Sequence, residues 1–228
     1  MRRVFLKLSA CWLVVCVAGC ASVGGPSTSN GPRAADFSAV TVGTRWSYAL
    51  VPGPTAPQAV SVVSRDERGF FVDDRGGRLA PRSDGIFDGE RFLLKEPVVA
   101  GSTWTAVVAG VTEQYRIVAT DLEVTVPAGT FSGCVEVEGM TPTCDPQSGR
   151  AATLRMRWVW APKVGMVRLQ QFVSTHDAPC GATTEATNDA PMGAVDGLAN
   201  AAPRSVDETA RPTATMELVS FSAGPPAP

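Results

Sequence analysis

Between residues 37 and 222 the chain is cut into short apolar or alternating runs by turn-forming dipeptides, and this punctuation constrains its fold most. Asp74-Arg75-Gly76-Gly77, Ser83-Asp84-Gly85 and Asp88-Gly89 fall close together. Asp-Gly and Gly-Gly supply the positive φ angles that tight hairpins need. No segment sustains an apolar period of 3.6 residues, so helix is expected to be scarce beyond the N-terminal stretch. The pattern predicts strands over 44–51, 58–64, 69–73, 91–95, 103–108, 113–126, 130–139, 153–161, 165–174 and 213–222. The 22 glycines and 18 prolines among 228 residues exceed ordinary usage but stay below that of a wholly disordered chain. With 44% hydrophobic residues there is enough apolar material for a core. The expected fold class is all-β: an antiparallel β-sandwich, or a flattened, half-open barrel, built from meander hairpins.

The first nineteen residues read as an address. Arg2, Arg3 and Lys7 precede a ten-residue apolar stretch, Leu8 to Val17, which is about half of the ~20 residues a helix needs to span a bilayer. Val17-Ala18-Gly19-Cys20 then resembles the bacterial lipobox, in which an aliphatic and two small residues precede the cysteine that is lipidated and becomes the mature N-terminus. That resemblance implies anchoring to a membrane through acyl chains on Cys20, two or more of which hold stably. Ala21 follows, where aspartate would resemble the inner-membrane retention signal of enteric bacteria, so the outer membrane is the expected location. Cleavage before Cys20 removes three positive charges and takes the net charge from −2 to −5. A nucleic-acid binder would show the opposite balance, so nucleic acid is not an expected partner.

Residues 20–36 read as the lipidated cysteine and a flexible tether, with a reach of roughly 22 Å. A single antiparallel β domain is expected over 37–222. Within it, 177–212 is rich in Ala, Thr, Pro, Gly and acids and carries almost no large apolar side chain, so it reads as a disordered insertion before the last strand. Residues 223–228 read as a tail. Two strand entries echo each other, Gly43-Thr44-Arg45-Trp46 and Gly101-Ser102-Thr103-Trp104, each offering glycine for the turn and tryptophan as the first buried anchor.

Candidates for chemistry are few. His176 is the only histidine, and its neighbour Asp177 would point to the opposite face of a strand; no Gly-x-Ser-x-Gly elbow accompanies them. Asp66, Glu67, Asp73, Asp74, Asp84, Asp88 and Glu90 crowd one stretch, but their spacing does not match a calcium loop and turn formation accounts for them. The sequence contains no P-loop, dinucleotide fingerprint or Cys-x-x-Cys pair, and no cofactor or metal is expected. Met156, Trp158 and Trp160 alternate on one strand face with Leu154, while Arg155, Arg157 and Val159 take the other. The aromatic face could be sandwich core or the wall of a pocket for an acyl chain.

Once Cys11 and Cys16 leave with the signal and Cys20 carries lipid, Cys134, Cys144 and Cys180 remain in an oxidising compartment. If strands 130–139, 153–161 and 165–174 form a meander, Cys144 and Cys180 lie past the same end of it. A Cys144–Cys180 disulfide is therefore expected, with Cys134 a small buried thiol within a strand.

Three further runs carry a resemblance. Leu93-Leu94-Lys95-Glu96-Pro97-Val98-Val99-Ala100-Gly101-Ser102-Thr103-Trp104, Val126-Pro127-Ala128-Gly129-Thr130-Phe131 and Trp158-Val159-Trp160-Ala161-Pro162-Lys163-Val164-Gly165-Met166-Val167 are similar to the LLxxPxxxGxxW, VPAGTF and WxAPxVGxV runs of a family of exported bacterial β-proteins, many of them lipoproteins. The resemblance implies an antiparallel β fold and export, and no activity. Lys163 stands where that family often has glycine. The functional expectation is a lipid-anchored envelope protein with a non-enzymatic binding or accessory role. Its partner would be an envelope protein or an apolar ligand. Alternatives are a carrier with a hydrophobic β pocket and an envelope hydrolase.

The address is tested by intact mass of the protein purified from membranes. The expected species starts at a lipidated Cys20, and Cys20→Ala leaves a protein without acyl chains; an unmodified N-terminus elsewhere contradicts it.

Overall fold

Twelve antiparallel strands form one sheet in the computed structural model, which describes residues 31–53, 56–180 and 211–225. In chain order they are β1 (Arg45–Leu50), β2 (Gln58–Arg65), β3 (Phe71–Asp73), β4 (Arg78–Arg82), β5 (Gly85–Phe87), β6 (Phe92–Lys95), β7 (Thr103–Val108), β8 (Val111–Val126), β9 (Gly129–Cys144), β10 (Arg150–Ala161), β11 (Gly165–Pro179) and β12 (Ala214–Ser222). The small hairpins marked by Asp-Gly and Gly-Gly resolve into β3 to β6; β4, which carries Pro81, and β5, of three residues, were not among the expected strands. The signal segment, Cys20 and most of the 177–212 insertion lie outside the described residues.

The order across the sheet is β6-β5-β4-β3-β2-β1-β12-β11-β10-β9-β8-β7. Two meanders, β1 to β6 and β7 to β11, are joined by β12. This strand pairs with β1 through Trp46–Phe221 and with β11 through Arg168–Glu217. The sheet curls until its two edges, β6 and β7, meet as a nearly closed barrel. Side chains bridge that edge. Trp104 Nε1 donates to the Phe92 carbonyl at 2.9 Å, and the Trp104 ring stacks on Tyr115 at 5.4 Å.

Beside this seam Arg91 places its Nη1 2.9 and 2.7 Å from the two oxygens of Glu113. The Tyr115 hydroxyl and Thr141 also donate to Glu113. Burial opposes ionisation of Glu113, but the Tyr115 hydrogen bond and the Arg91 guanidinium outweigh it and hold the carboxyl below the usual range. Burial, with the adjacent carboxylate, pushes the Tyr115 hydroxyl up.

Elsewhere the strands bend. Register shifts between Ile117 and Val124 let the β8–β9 arm turn toward β12, where the amide of Ala128 donates to the Leu218 carbonyl and Arg168 to that of Thr125. Val124 and Val126 of this arm share an apolar cluster with Val159, Val167 and Leu218. The Pro127-Ala128-Gly129 corner is thus a docking point between strands. Trp46 and Trp104 are both buried, each at the start of its strand.

Two sequence boundaries need correction. The flexible tether was expected to reach Asp36, yet Ala34–Phe37 forms a 3-10 turn that belongs to the body. Ala34 and Phe37 are fully buried, the Ala34 amide donates to Glu96 Oε1 at 2.6 Å, and the amide of Lys163 donates to the Asp36 carbonyl at 2.7 Å. Lys163 takes φ +59°, supplying with a side-chain residue the left-handed turn that glycine would make. The insertion was expected to begin at Asp177, yet β11 runs on to Pro179, because Asp177 pairs with Arg150 and the Cys180 amide donates to the Gly149 carbonyl.

Because folding lowers the acidity constant's pKa at Glu113, its stabilisation is complete above the usual carboxylate range and is lost as pH falls through the lowered folded value. Protection of β7 and β8 amides against hydrogen exchange, taken relative to the intrinsic rate at each pH, is expected to fall over that acid window. Glu113→Gln should loosen the seam at neutral pH by about 1–3 kcal/mol and remove the local acid dependence; an unchanged profile contradicts this account.

Candidate functional site

Inside the barrel lies a cavity of about 440 Å³, within the range of small-ligand sites. Its origin is geometric. Eight strands give an interior that side chains can just fill, and a wider sheet leaves more space than they occupy. Here the 3-10 turn supplies Phe37 and Ser38 to the wall from one end, and large side chains supply most of the rest.

Met156, Trp158 and Trp160 all stand in this wall, brought together by the two-residue repeat of β10. Their cross-strand partners are Gly139, Val137 and Val135 on β9 and Gln171, Leu169 and Met166 on β11. From Trp160 to Met156 is four residues of extended chain, so the wall runs roughly 13 Å. The opposite face of the same strand has a different chemistry. Arg157 Nε lies 2.9 Å from Glu138, Arg116 2.9 Å and Arg155 3.6 Å, with Arg155 lying over the Phe172 ring. Alternation alone therefore divides β10 into a cavity face and an ion-pair face.

Gly139 makes the aromatic wall fit. A Cβ there would lie 2.8 Å from both the Trp158 and Tyr115 rings, so only glycine lets them close over β9. The sequence reading missed the rest of the lining: Trp46 and Tyr48 of β1, Met166 and Leu169 of β11, and Met216 of β12. Their alternation was present, but that β1 would line the same cavity as β10 depended on β12 entering between β1 and β11.

The lining is mixed in character: Phe37, Val40, Trp46 and Met166 are apolar, and Gln58, Arg75, Asp88 and Arg91 add polar and charged groups. Arg91 holds Asp88 at 3.1 Å as well as Glu113, and these carboxylates, against the cost of burial, strengthen its protonated form. Arg75 donates to neutral acceptors, Gln58 Oε1 at 2.9 Å and the Ala59 carbonyl at 3.0 Å.

Most buried polar tips in this region are satisfied within the protein. Trp46 Nε1 donates to the Val164 carbonyl at 2.7 Å and the Tyr48 hydroxyl to that of Met166 at 2.9 Å. Burial pushes the Tyr48 hydroxyl well above its ordinary range, so it stays protonated. Trp160 Nε1 and Ser38 Oγ are different: both are buried in the wall and neither has a protein partner.

The remaining sequence candidates lie elsewhere. Cys20 is outside the described residues. Cys144 and Cys180 are joined as a disulfide with Cα atoms 5.7 Å apart, at the end of the β9–β11 meander. Closing its 36-residue separation stabilises the fold by about 4 kcal/mol on the chain-entropy account. Cys134 is a free, buried thiol whose ionisation is opposed by burial. His176 bonds Thr153 Oγ1 at 2.9 Å on an exposed stretch of β11, and its neighbour Asp177 is paired to Arg150. Asp66, Asp73 and Asp88 use their carboxylates to accept backbone amides within their own turns.

Gly139→Ala is expected to displace the Trp158 ring and destabilise the fold by about 1–3 kcal/mol. Thermal unfolding and near-ultraviolet circular dichroism check this; an unchanged aromatic spectrum contradicts the packing described.

No protein-family profile matches the chain, and no curated protein does. Two solved structures are similar to it. One, from Parabacteroides distasonis, is assigned as a lipoprotein. It shares 14% identity at a TM-score of 0.38, over 82% of this chain and 98% of that one. The other, from Bacteroides fragilis, is assigned as an exported protein with a YmcC-like fold. It shares 14% identity at a TM-score of 0.42, over 80% of this chain and 96% of that one.

Proposed function

We propose that this chain is a lipid-anchored protein of the cell envelope whose barrel binds an apolar ligand without transforming it. The observation that carries the reading is the cavity: about 440 Å³ walled largely by tryptophan, methionine and leucine side chains, with three charged groups, Arg75, Asp88 and Arg91, among its lining. One carboxylate, Asp88, reaches the wall, and it is engaged by Arg91 and by turn amides, which favours binding over acid–base chemistry. The lipobox-like Val17-Ala18-Gly19-Cys20 supports anchoring at Cys20, and Ala21 supports the outer membrane. The Cys144–Cys180 disulfide suits an oxidising compartment.

Binding is tested with the neutral apolar fluorophore N-phenyl-1-naphthylamine. The protein is expected to bind it saturably, with its emission enhanced. Leu169→Trp, which fills the cavity from β11, should weaken binding at least about tenfold while leaving the far-ultraviolet circular dichroism unchanged. Equal affinity in a folded Leu169→Trp protein, or no saturable binding in the parent, contradicts the proposal. An accessory subunit with an inert interior would give the latter result.

A further inference from the structure

The polar members of the cavity lining narrow the class of ligand, and strand register places two of them. Across β1 and β2, Trp46 pairs with Val60 and Tyr48 with Gln58, and all four line the cavity. Directly opposed residues share a face of the sheet, so Gln58 stands on the inward face. It is also the first residue of β2 and is exposed, as is Arg75, whose Nη1 donates to Gln58 Oε1 at 2.9 Å. Every other residue of the lining is buried or half-buried. The Gln58–Arg75 pair therefore marks where the inward face meets solvent.

The charges of the lining are not equally matched. Asp88 and Arg91 hold each other at 3.1 Å, and Arg91 also binds Glu113. Arg75 instead donates to neutral acceptors, Gln58 Oε1 and the Ala59 carbonyl. The acids beside it in sequence are used by backbone amides: Asp73 accepts from those of Arg75 and Gly77, and Asp74 from that of Ser61. Among the described residues Arg75 makes no ion pair, and the remaining donors of its guanidinium have no protein acceptor. That planar fork matches a carboxylate or a phosphate. An apolar interior thus opens beside a cation whose counter-charge the protein does not supply.

Building on the ligand-binding reading above, we propose that the ligand is an acyl chain with an anionic head, a carboxylate or a phosphate, held head-outward at Arg75. The chain fills the space among the tryptophan, methionine and leucine side chains, and the head stays at the exposed rim. A charge kept there remains partly hydrated and avoids the large cost of burial. Arg75 is thereby a specificity residue: it selects the charge of the head, while the apolar wall selects the chain.

The test is displacement of N-phenyl-1-naphthylamine from the full chain by sodium decanoate, decyl phosphate, methyl decanoate and decyltrimethylammonium, at a pH where decanoate is ionised. These probes differ in hydrophobicity, so the reading is the affinity of each relative to methyl decanoate, compared between parent and variants. Arg75→Gln should lower the relative affinity of an anionic probe about fivefold, the scale of an exposed ion pair. Arg75→Lys, which keeps the charge, should retain most of it. Arg75→Glu should lower it further and raise that of decyltrimethylammonium. High salt should shrink the difference between the parent and Arg75→Gln. A response with decanoate names a carboxylate head, and one with decyl phosphate a phosphate. Far-ultraviolet circular dichroism checks that each variant is folded. Failure of all four probes to displace the fluorophore overturns the ligand-binding reading and this inference with it. Displacement with the same relative affinities in the parent, Arg75→Gln and Arg75→Glu overturns the inference alone.

Discussion

Everything in this structure depends on β12 entering between β1 and β11. Without it the chain is two meanders, β1 to β6 and β7 to β11, each with an open edge and an apolar face. Backbone pairing of β12 on both sides converts them into one sheet, and only then do the aromatics of β10 and of β1 line one cavity. The last strand is local neither to its partners nor to the meander it completes, so its pairing carries the large loop-closure cost typical of non-local contacts. The Cys144–Cys180 disulfide stands just where β11 ends. It ties the end of β11 back to the end of β9 and so fixes the meander against which β12 pairs.

The opposite seam is closed differently. Between β6 and β7 the barrel relies on side chains: Trp104 reaching the Phe92 carbonyl, and Arg91 crossing to Glu113, to which the Tyr115 hydroxyl also donates. Backbone ladders and side-chain bridges differ in character. The ladder is insensitive to pH, whereas the Arg91–Glu113 pair exists only while Glu113 is ionised. Arg91 also stands in the cavity wall, so the same guanidinium that closes the seam borders the space inside it.

Much of the body was legible in the sequence because turn chemistry and two-residue alternation are local signals. Trp46 and Trp104 anchor their strands after Gly43 and Gly101, and the Asp-Gly pairs mark real hairpins. Met156, Trp158 and Trp160 share a face, and that face borders the cavity while Trp160 also belongs to a buried apolar cluster. What was not legible is non-local. Nothing in the run around Ala34 announces that a 3-10 turn will seat Phe37 in the barrel, since its burial depends on Glu96 and on the turn at Lys163. Nor does Gly139 look different from a turn glycine until Trp158 and Tyr115 close over it. The pairing of Trp46 with the cavity rather than with a sandwich partner follows from the position of β12 alone.

The central claim is that the space inside this barrel is a binding site and not a packing remainder. Native mass spectrometry of the protein purified gently from its own envelope tests that most directly. The account expects a single bound apolar species, released by solvent extraction, and expects Leu169→Trp to lose it. A protein that arrives only at its ligand-free mass, with the parent and Leu169→Trp indistinguishable, would contradict it.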